Sequence, residues 1–334
     1  RHGVKLDYGV ESFNRRGVDA VERLEDLDPV EPDEPVTLHS LDDASLDELG
    51  AFGAASWRWG PTRWQAGGRY SRARQRNADL PARDLSAWNG FAEIIWPSWS
   101  RLELRGAVDS GLRFPSLSEL FYTGTTGRGA VVGNPELESE RSLNGELSLR
   151  WLGRRLFVSG LVFHNRIDDY IERVEIEEDL LTWVNLTSGT IRGLELQAVY
   201  VVGAHWRVLG SAHFLRGRDR DGAPLADVPP REIQAGFRRE SGPWRIEARL
   251  AHRDEKDDPG SGEKAIGSAE LLSASLGYSL SPAWRIVLAG RNLLDEEYYP
   301  AADRKAPPAP GRSFSLRLSW SGARHAGAAG PETE

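Results

Sequence analysis

The chain has 334 residues, with 35 Gly, 19 Pro, 12 Trp, no Cys, no Met and a formal charge of -8. The charge is spread along the chain, so the basic footprint of a nucleic-acid binder is absent. The lack of Cys excludes disulfide staples, thiolate metal sites and Cys nucleophiles, and suits an oxidising compartment.

No run approaches the ~20 apolar residues of a membrane helix. A soluble β protein and a transmembrane β-barrel both remain, because barrel strands are only half apolar. With no Met present, the chain is expected to be a processed product or part of a longer gene.

The first predicted strand is Val4–Phe13, followed by a polar, acidic loop from Asn14 to Glu48. Strands follow at Leu49–Trp59, Arg63–Arg72, Leu85–Trp96 and Trp99–Gly111. Then comes a loop of thirty residues, Leu112 to Arg141, in which Leu117–Tyr122 is read as one helical turn. A hairpin needs far fewer residues, and loops of this length are usually functional. Ser142–Trp151 and Leu156–Asn165 lead to an excursion, Arg166 to Asn185, with strand-like pieces of its own. Thr187–Val201, Trp206–Arg216, Arg231–Arg239, Trp244–His252, Glu270–Leu280, Trp284–Leu293 and Ser313–Trp320 complete about fourteen strands. A disordered polar tail, 321–334, is expected to follow. Long loops alternate with turns of two to four residues, so the sheet should carry tight turns at one end and long loops at the other.

The strands alternate with a period of two. In Ser313–Trp320, Phe314, Leu316, Leu318 and Trp320 share one face, and Ser313, Ser315, Arg317 and Ser319 the other. Alternation alone also fits a soluble sandwich. The tryptophans separate the two readings. Trp57, Trp59, Trp64, Trp96, Trp99, Trp151, Trp206, Trp244, Trp284 and Trp320 all sit beside a tight turn or at the last strand end; Trp88 and Trp183 do not. An indole has an apolar body and one N–H donor, and favours the lipid–water boundary. A ring of them at one rim is the girdle of a membrane barrel, and only a closed sheet satisfies every strand amide in lipid. The fold class read from the sequence is therefore all-β, an antiparallel transmembrane β-barrel.

Several motifs then resemble the C-terminal barrel of TonB-dependent outer-membrane receptors. They are Gly111-Leu112-Arg113-Phe114-Pro115-Ser116-Leu117-Ser118-Glu119-Leu120, Gly133-Asn134-Pro135-Glu136-Leu137 with Glu140-Arg141-Ser142, and Gly193-Leu194-Glu195. Arg291-Asn292-Leu293-Leu294-Asp295-Glu296-Glu297-Tyr298-Tyr299 and Pro310-Gly311-Arg312 complete the set. The resemblance covers residues 1–320. It implies a larger barrel of about 22 strands with a plug in its lumen, of which the plug and first strands would lie outside this chain. It further implies the outer membrane of a Gram-negative bacterium, a monomer in outer-membrane lipid, and uptake of a scarce ligand such as a ferric siderophore or cobalamin. Energy would come from the inner-membrane TonB complex through the missing N-terminal part. No catalysis and no resident cofactor are implied.

The motif residues singled out by the resemblance are Arg113, Pro115, Ser116, Glu119, Asn134, Pro135, Glu140, Asn292, Leu293 and Asp295. The ligand-facing candidates are loop residues with an aromatic face or a cation: Phe121, Tyr122, Arg128, Tyr170, Trp183, Tyr298 and Tyr299. The plainer reading of each is packing between loops or an outer girdle. Glu119 is expected to pair with an arginine facing the lumen. The acidic loop with Asp254, Glu255, Asp257, Asp258 and Glu263, and Asp219 with Asp221, lack the register of a calcium site and read as solvated surface. The seven His are scattered, so no metal site is expected. Alternative readings are a passive fourteen-stranded channel and a soluble β-rich binding module. An outer-membrane hydrolase with His164 or His213 as base lacks a nucleophile signature.

Overall fold

The computed structural model describes residues 3–24, 36–78, 80–126, 129–178 and 180–321, with the side chains of all of these except 24, 36, 98, 99 and 187. The strands are β1 (Lys5–Leu24), β2 (Val36–Trp59), β3 (Thr62–Arg76), β4 (Arg83–Trp99) and β5 (Leu102–Arg113). A five-residue helix α1 (Leu117–Phe121) and two short strands, β6 (Thr123–Thr126) and β7 (Gly129–Val132), occupy the long loop. Then come β8 (Glu140–Leu152), β9 (Leu156–Glu177), β10 (Leu180–Val202), β11 (Trp206–Asp219), β12 (Glu232–Ser241), β13 (Trp244–Arg253), β14 (Ala269–Ser279), β15 (Trp284–Arg291) and β16 (Ser313–Trp320).

Fourteen of these strands form one antiparallel path in chain order, β1 to β5 and then β8 to β16. This is a stretch of barrel wall, with β1 and β16 at its edges. The tight turns stand at one end; Gly60 (φ 58°) and Gly203 (φ 64°) supply the left-handed backbone that two of them require.

One stretch expected to be a loop is largely strand, and the excursion read with strand-like pieces is continuous with its flanking strands. β1 runs to Leu24 and β2 starts at Val36, replacing most of the loop placed at Asn14–Glu48; residues 25–35 lie outside those described. The 166–185 excursion is the far ends of β9 and β10. The physical reason is the same in both. Beyond the bilayer neither sheet face meets hydrocarbon, so the apolar/polar period disappears while the backbone ladder continues. In β1 the pattern is further broken by register shifts between Arg15 and Val21, around Gly17 at φ 62°. The tail read as disordered from 321 falls, from 322 on, outside the described residues.

The register sorts the side chains. Trp57 faces Trp64, Trp64 faces Ile94, Trp96 faces Leu104 and Trp151 faces Leu102 across the ladder. Trp206 lies opposite Val202, Trp244 opposite Tyr278 and Trp284 opposite Trp320. With Trp59, two residues from Trp57, nine of the ten turn-end tryptophans share the apolar face; the Trp99 side chain is outside those described. Their rings meet in pairs, at 6.3 Å for Trp57–Trp64 and for Trp284–Trp320. The same face carries exposed Leu147, Leu316, Phe314 and Leu6. So much apolar surface on one continuous face fits hydrocarbon, not water. The opposite face is charged and pairs with itself: Arg105 with Glu93 (2.6 Å) and Glu146 (2.9 Å), Glu247 with Arg238 (2.8 Å) and Arg249 (2.7 Å).

Candidate functional site

The long-loop end of the wall is built from two packed clusters. The first is apolar. Arg113, the last residue of β5, forks between two carboxylates, donating to Glu119 at 2.8 and 3.0 Å and to Glu140 at 2.6 and 2.7 Å. Glu119 also closes a capping box on α1. It accepts from the Ser116 amide at 2.7 Å, while its own amide donates to Ser116 Oγ at 3.2 Å. Pro115 is fully buried, and its carbonyl accepts from Gln75 on β3. The helix so fixed turns Leu117, Leu120 and Phe121 onto Leu41, Ala44, Leu137 and Ile171, and Leu46, Tyr122 and Trp183 pack against that group.

Asn134 ties the return limb down. Its amide donates to Glu119 O (2.8 Å), and its side chain donates to Trp183 O (2.8 Å) and accepts from the Glu136 amide (3.0 Å). A Cβ on Gly133 would stand 2.7 Å from the Phe121 amide nitrogen, so the close approach requires glycine. β7 then pairs in parallel with β10 at Leu180–Thr182. Glu22 anchors the tip: it accepts from Tyr122 OH at 2.6 Å, Thr125 N at 2.7 Å and Ser40 Oγ at 3.1 Å. These bonds, Tyr122 first, lower the Glu22 carboxyl below its ordinary range.

The second cluster is charged. It interlocks three connections, β11–β12, β13–β14 and β15–β16, against the far end of β9. Lys256 and Glu263 form a buried ion pair. Glu263 also accepts from the Asp227 amide (2.9 Å) and the Gly260 amide (2.7 Å). Arg173 reaches Asp303 at 3.4 Å, and Arg304 reaches Glu175 at 2.5 Å. Glu172 is 6% exposed, and the only hydrogen bond to its side chain among the described residues is a long one from the Ala226 amide, 3.3 Å. Burial, reinforced by Asp227 and Glu263, pushes its carboxyl up to about 7. Burial also raises the Tyr170 phenol beside it.

The structure places the ligand-facing candidates other than Arg128 in or beside these clusters. Phe121 is buried in the apolar core, and Tyr122 is half-buried on Glu22. Trp183 is half-buried, with the Arg173 guanidinium 5.9 Å from its ring centre. Tyr298 lies 5.1 Å from the Arg253 guanidinium, and Tyr299 3.6 Å from Lys264 Nζ. Arg128 lies outside the described residues. The motif residues form two ties. Arg113, Pro115, Ser116, Glu119, Asn134 and Glu140 fix the α1 loop, with Pro135 in its return limb. Asn292 (φ 48°) and Asp295 (φ 60°) fix the last loop. Asn292 donates to Glu296 O (2.8 Å) and accepts from its amide (2.9 Å); Leu293 N donates to Leu272 O (2.8 Å), and Asp295 accepts from Arg312 N (2.8 Å).

The acidic loop read as solvated is only partly so, because Glu263 is buried against Lys256. Glu22, Glu172 and the Lys256–Glu263 pair had no sequence signal. Glu22 and Glu172 are defined by partners from distant segments, Tyr122 lying 100 residues from Glu22, whereas Lys256 and Glu263 lie seven residues apart and become a buried pair only under the neighbouring connections. His213 lines a cavity of about 390 Å³ with Glu232, Arg253 and Lys256 beneath the charged cluster.

A wall with a hydrocarbon-facing side, a charged inner side and packed loops at one end defines a membrane-spanning β-barrel. The family described as TonB dependent receptor-like, beta-barrel matches residues 2–293, and the chain belongs to it. An iron-regulated outer membrane virulence protein of Vibrio cholerae serotype O1 is 25% identical over 258 residues, 69% of this chain and 38% of that protein. The chain thus spans well under half the length of this curated relative. Among solved structures, the copper transporter OprC superposes with a TM-score of 0.82 at 18% identity, over 95% of this chain and 54% of its own. The siderophore receptor PiuA of Acinetobacter baumannii gives 0.73 at 15% identity, over 95% and 53%. The ferric-catecholate import receptor Fiu of E. coli K12 gives 0.72 at 13%, over 96% and 52%.

Proposed function

We propose that this chain forms much of the barrel wall of an outer-membrane receptor that takes up a scarce ligand of the ferric siderophore or cobalamin class. The tight turns then face the periplasm and the two loop clusters face the medium, as in bacterial outer-membrane barrels. The inner-membrane TonB complex supplies the energy, and no bond is made or broken. The observation that carries this reading is the family match laid over a hydrocarbon-facing sheet whose loops are packed rather than loose. The names of the relatives, among them an iron-regulated protein and receptors for siderophores, support the chelate class.

The loop aromatics Tyr122, Trp183, Tyr298 and Tyr299 are half-buried, so each keeps part of its surface accessible. In this reading ligand contact involves those accessible parts and the cations stacked on the rings. The test is radiolabelled uptake in a strain deleted for the gene, with ferric catecholate, ferric hydroxamate and cobalamin as separate probes. Loss of one energy-dependent uptake, restored by the gene, is expected. Unchanged uptake of all three in the deletion strain sinks the proposal.

A further inference from the structure

We propose that the outward face of β9, β10 and β11, at its long-loop boundary, docks a phosphate-bearing lipid headgroup of the surrounding outer leaflet. The inference rests on the outer-membrane reading above. The ladder sets His164 opposite Arg192 and Arg192 opposite Arg216, so three basic residues occupy one rung on three adjacent strands. Arg166 and Arg218 stand on the next rung, on either side of Thr190.

Strand parity puts all of them on the hydrocarbon face. Arg216 lies on the side of Trp206, and Arg192 on the side of Tyr200 and Leu194. Directly below, Val162, Leu194 and Phe214 form an apolar rung. Arg216 is ten residues beyond Trp206. At ~3.4 Å per residue and a tilt of ~45°, that is about 24 Å across the membrane, the height of the apolar band. The arginines therefore stand where headgroups begin.

Like charges directly opposite on a ladder repel. Arginines on the inner face are relieved by glutamates, as Arg105 and Arg238 are. Arg192 and Arg216 are not. Both are exposed, and among the described residues the Arg192 side chain donates only to His164 Nδ1 (3.0 Å) and Arg216 has no side-chain bond. Of the nearby carboxylates, Asp168 is engaged by Arg166 (3.0 Å), Asp258 by Arg218 and Asp254 by Arg231, and exposed Glu255, which lines the same cavity as Arg216, makes no bond to it among the described residues. The missing counter-charge is an anion from outside the chain. Guanidinium forks match phosphate oxygens. The apolar rung below continues without a break into hydrocarbon, which suits acyl chains and not a soluble anion.

The test uses the full-length receptor in phosphatidylcholine nanodiscs doped with bis-phosphorylated lipid A or its dephosphorylated form, with retained lipid counted by native mass spectrometry. The phosphorylated form is expected to be retained selectively. Arg192→Gln with Arg216→Gln should lower retention roughly thirtyfold, and Arg192→Lys with Arg216→Lys should keep most of it. Excess inorganic phosphate should not displace the lipid; if it does, the site takes free phosphate and the proposal is overturned. Equal retention of both lipids by the unsubstituted receptor overturns it too, and that comparison stands even if the variants fail to fold. Failure to insert into the nanodisc at all would count against the barrel reading; insertion without preference would count only against this inference.

Discussion

The two clusters at the long-loop end solve the same problem with opposite materials. Both hold loops in place at one end of the wall. The α1 cluster does it with Leu117, Leu120, Phe121 and Leu137, and spends its polar groups on local caps and ties such as Arg113–Glu119 and Ser116–Glu119. The charged cluster buries Lys256 against Glu263 and leaves Glu172 shielded from water with one long hydrogen bond. Apolar burial is indifferent to pH and to the identity of any one partner. A buried charge depends on both. The first cluster should therefore behave as a fixed scaffold and the second as an element sensitive to its surroundings.

The largest effect expected comes from breaking the ion pair. Lys256→Met leaves Glu263 buried and unpaired, which should cost about 3–5 kcal/mol of local stability. Hydrogen exchange would show faster amides at 224–228 and 256–266 while those at 117–121 stay protected. Loss of protection in both clusters together would mean that they are one unit, and the contrast drawn above would fail.

The converse substitution, Leu120→Ala, removes a side chain with no exposed surface. It should cost about 2–5 kcal/mol in the α1 cluster. Limited proteolysis is a direct readout, with new cleavage in 115–137 and none in 253–266.

The third prediction concerns pH. Folding raises the Glu172 carboxyl from 4.5 to about 7, so the packed state favours the protonated acid. Its contribution is complete below pH 4.5 and is lost as pH rises through about 7, with a slope of at most about 1.4 kcal/mol per pH unit. Amides near Ala226 should therefore exchange more slowly at pH 5.5 than at pH 8, after correction for intrinsic rates. Glu172→Gln should flatten that difference. A slope of the opposite sign would show that Arg173, not burial, governs this carboxyl.

Smallest is the helix cap. Ser116→Ala should cost about 1 kcal/mol, confined to α1, because Glu119 keeps its bonds to Arg113. Exchange at the Glu119 amide, which donates to Ser116 Oγ, is the place to look.

The motif residues show how far the sequence could be read. Arg113, Ser116 and Glu119 were legible as a group because they are local and belong to one turn. What they bind was less legible, since Glu140 returns from 27 residues away. The loop aromatics were visible as candidates but not as packed groups. Phe121 differs from an exposed phenylalanine only through Leu41 and Ile171, which no window around it contains. The acidic loop misled for the same reason, because Lys256 and Glu263 are ordinary surface residues until three connections close over them.

The sequence by itself determined the fourteen strands of the wall, the two faces of the sheet and the tryptophan rim. Those depend on a two-residue period and on which side meets hydrocarbon, both written into every strand separately. Only the tertiary structure decided how far β1, β2, β9 and β10 extend beyond the membrane, which loops interlock, and which carboxylates lose their water. Each of those depends on a distant segment arriving with the right charge or shape, and backbone periodicity carries no record of that.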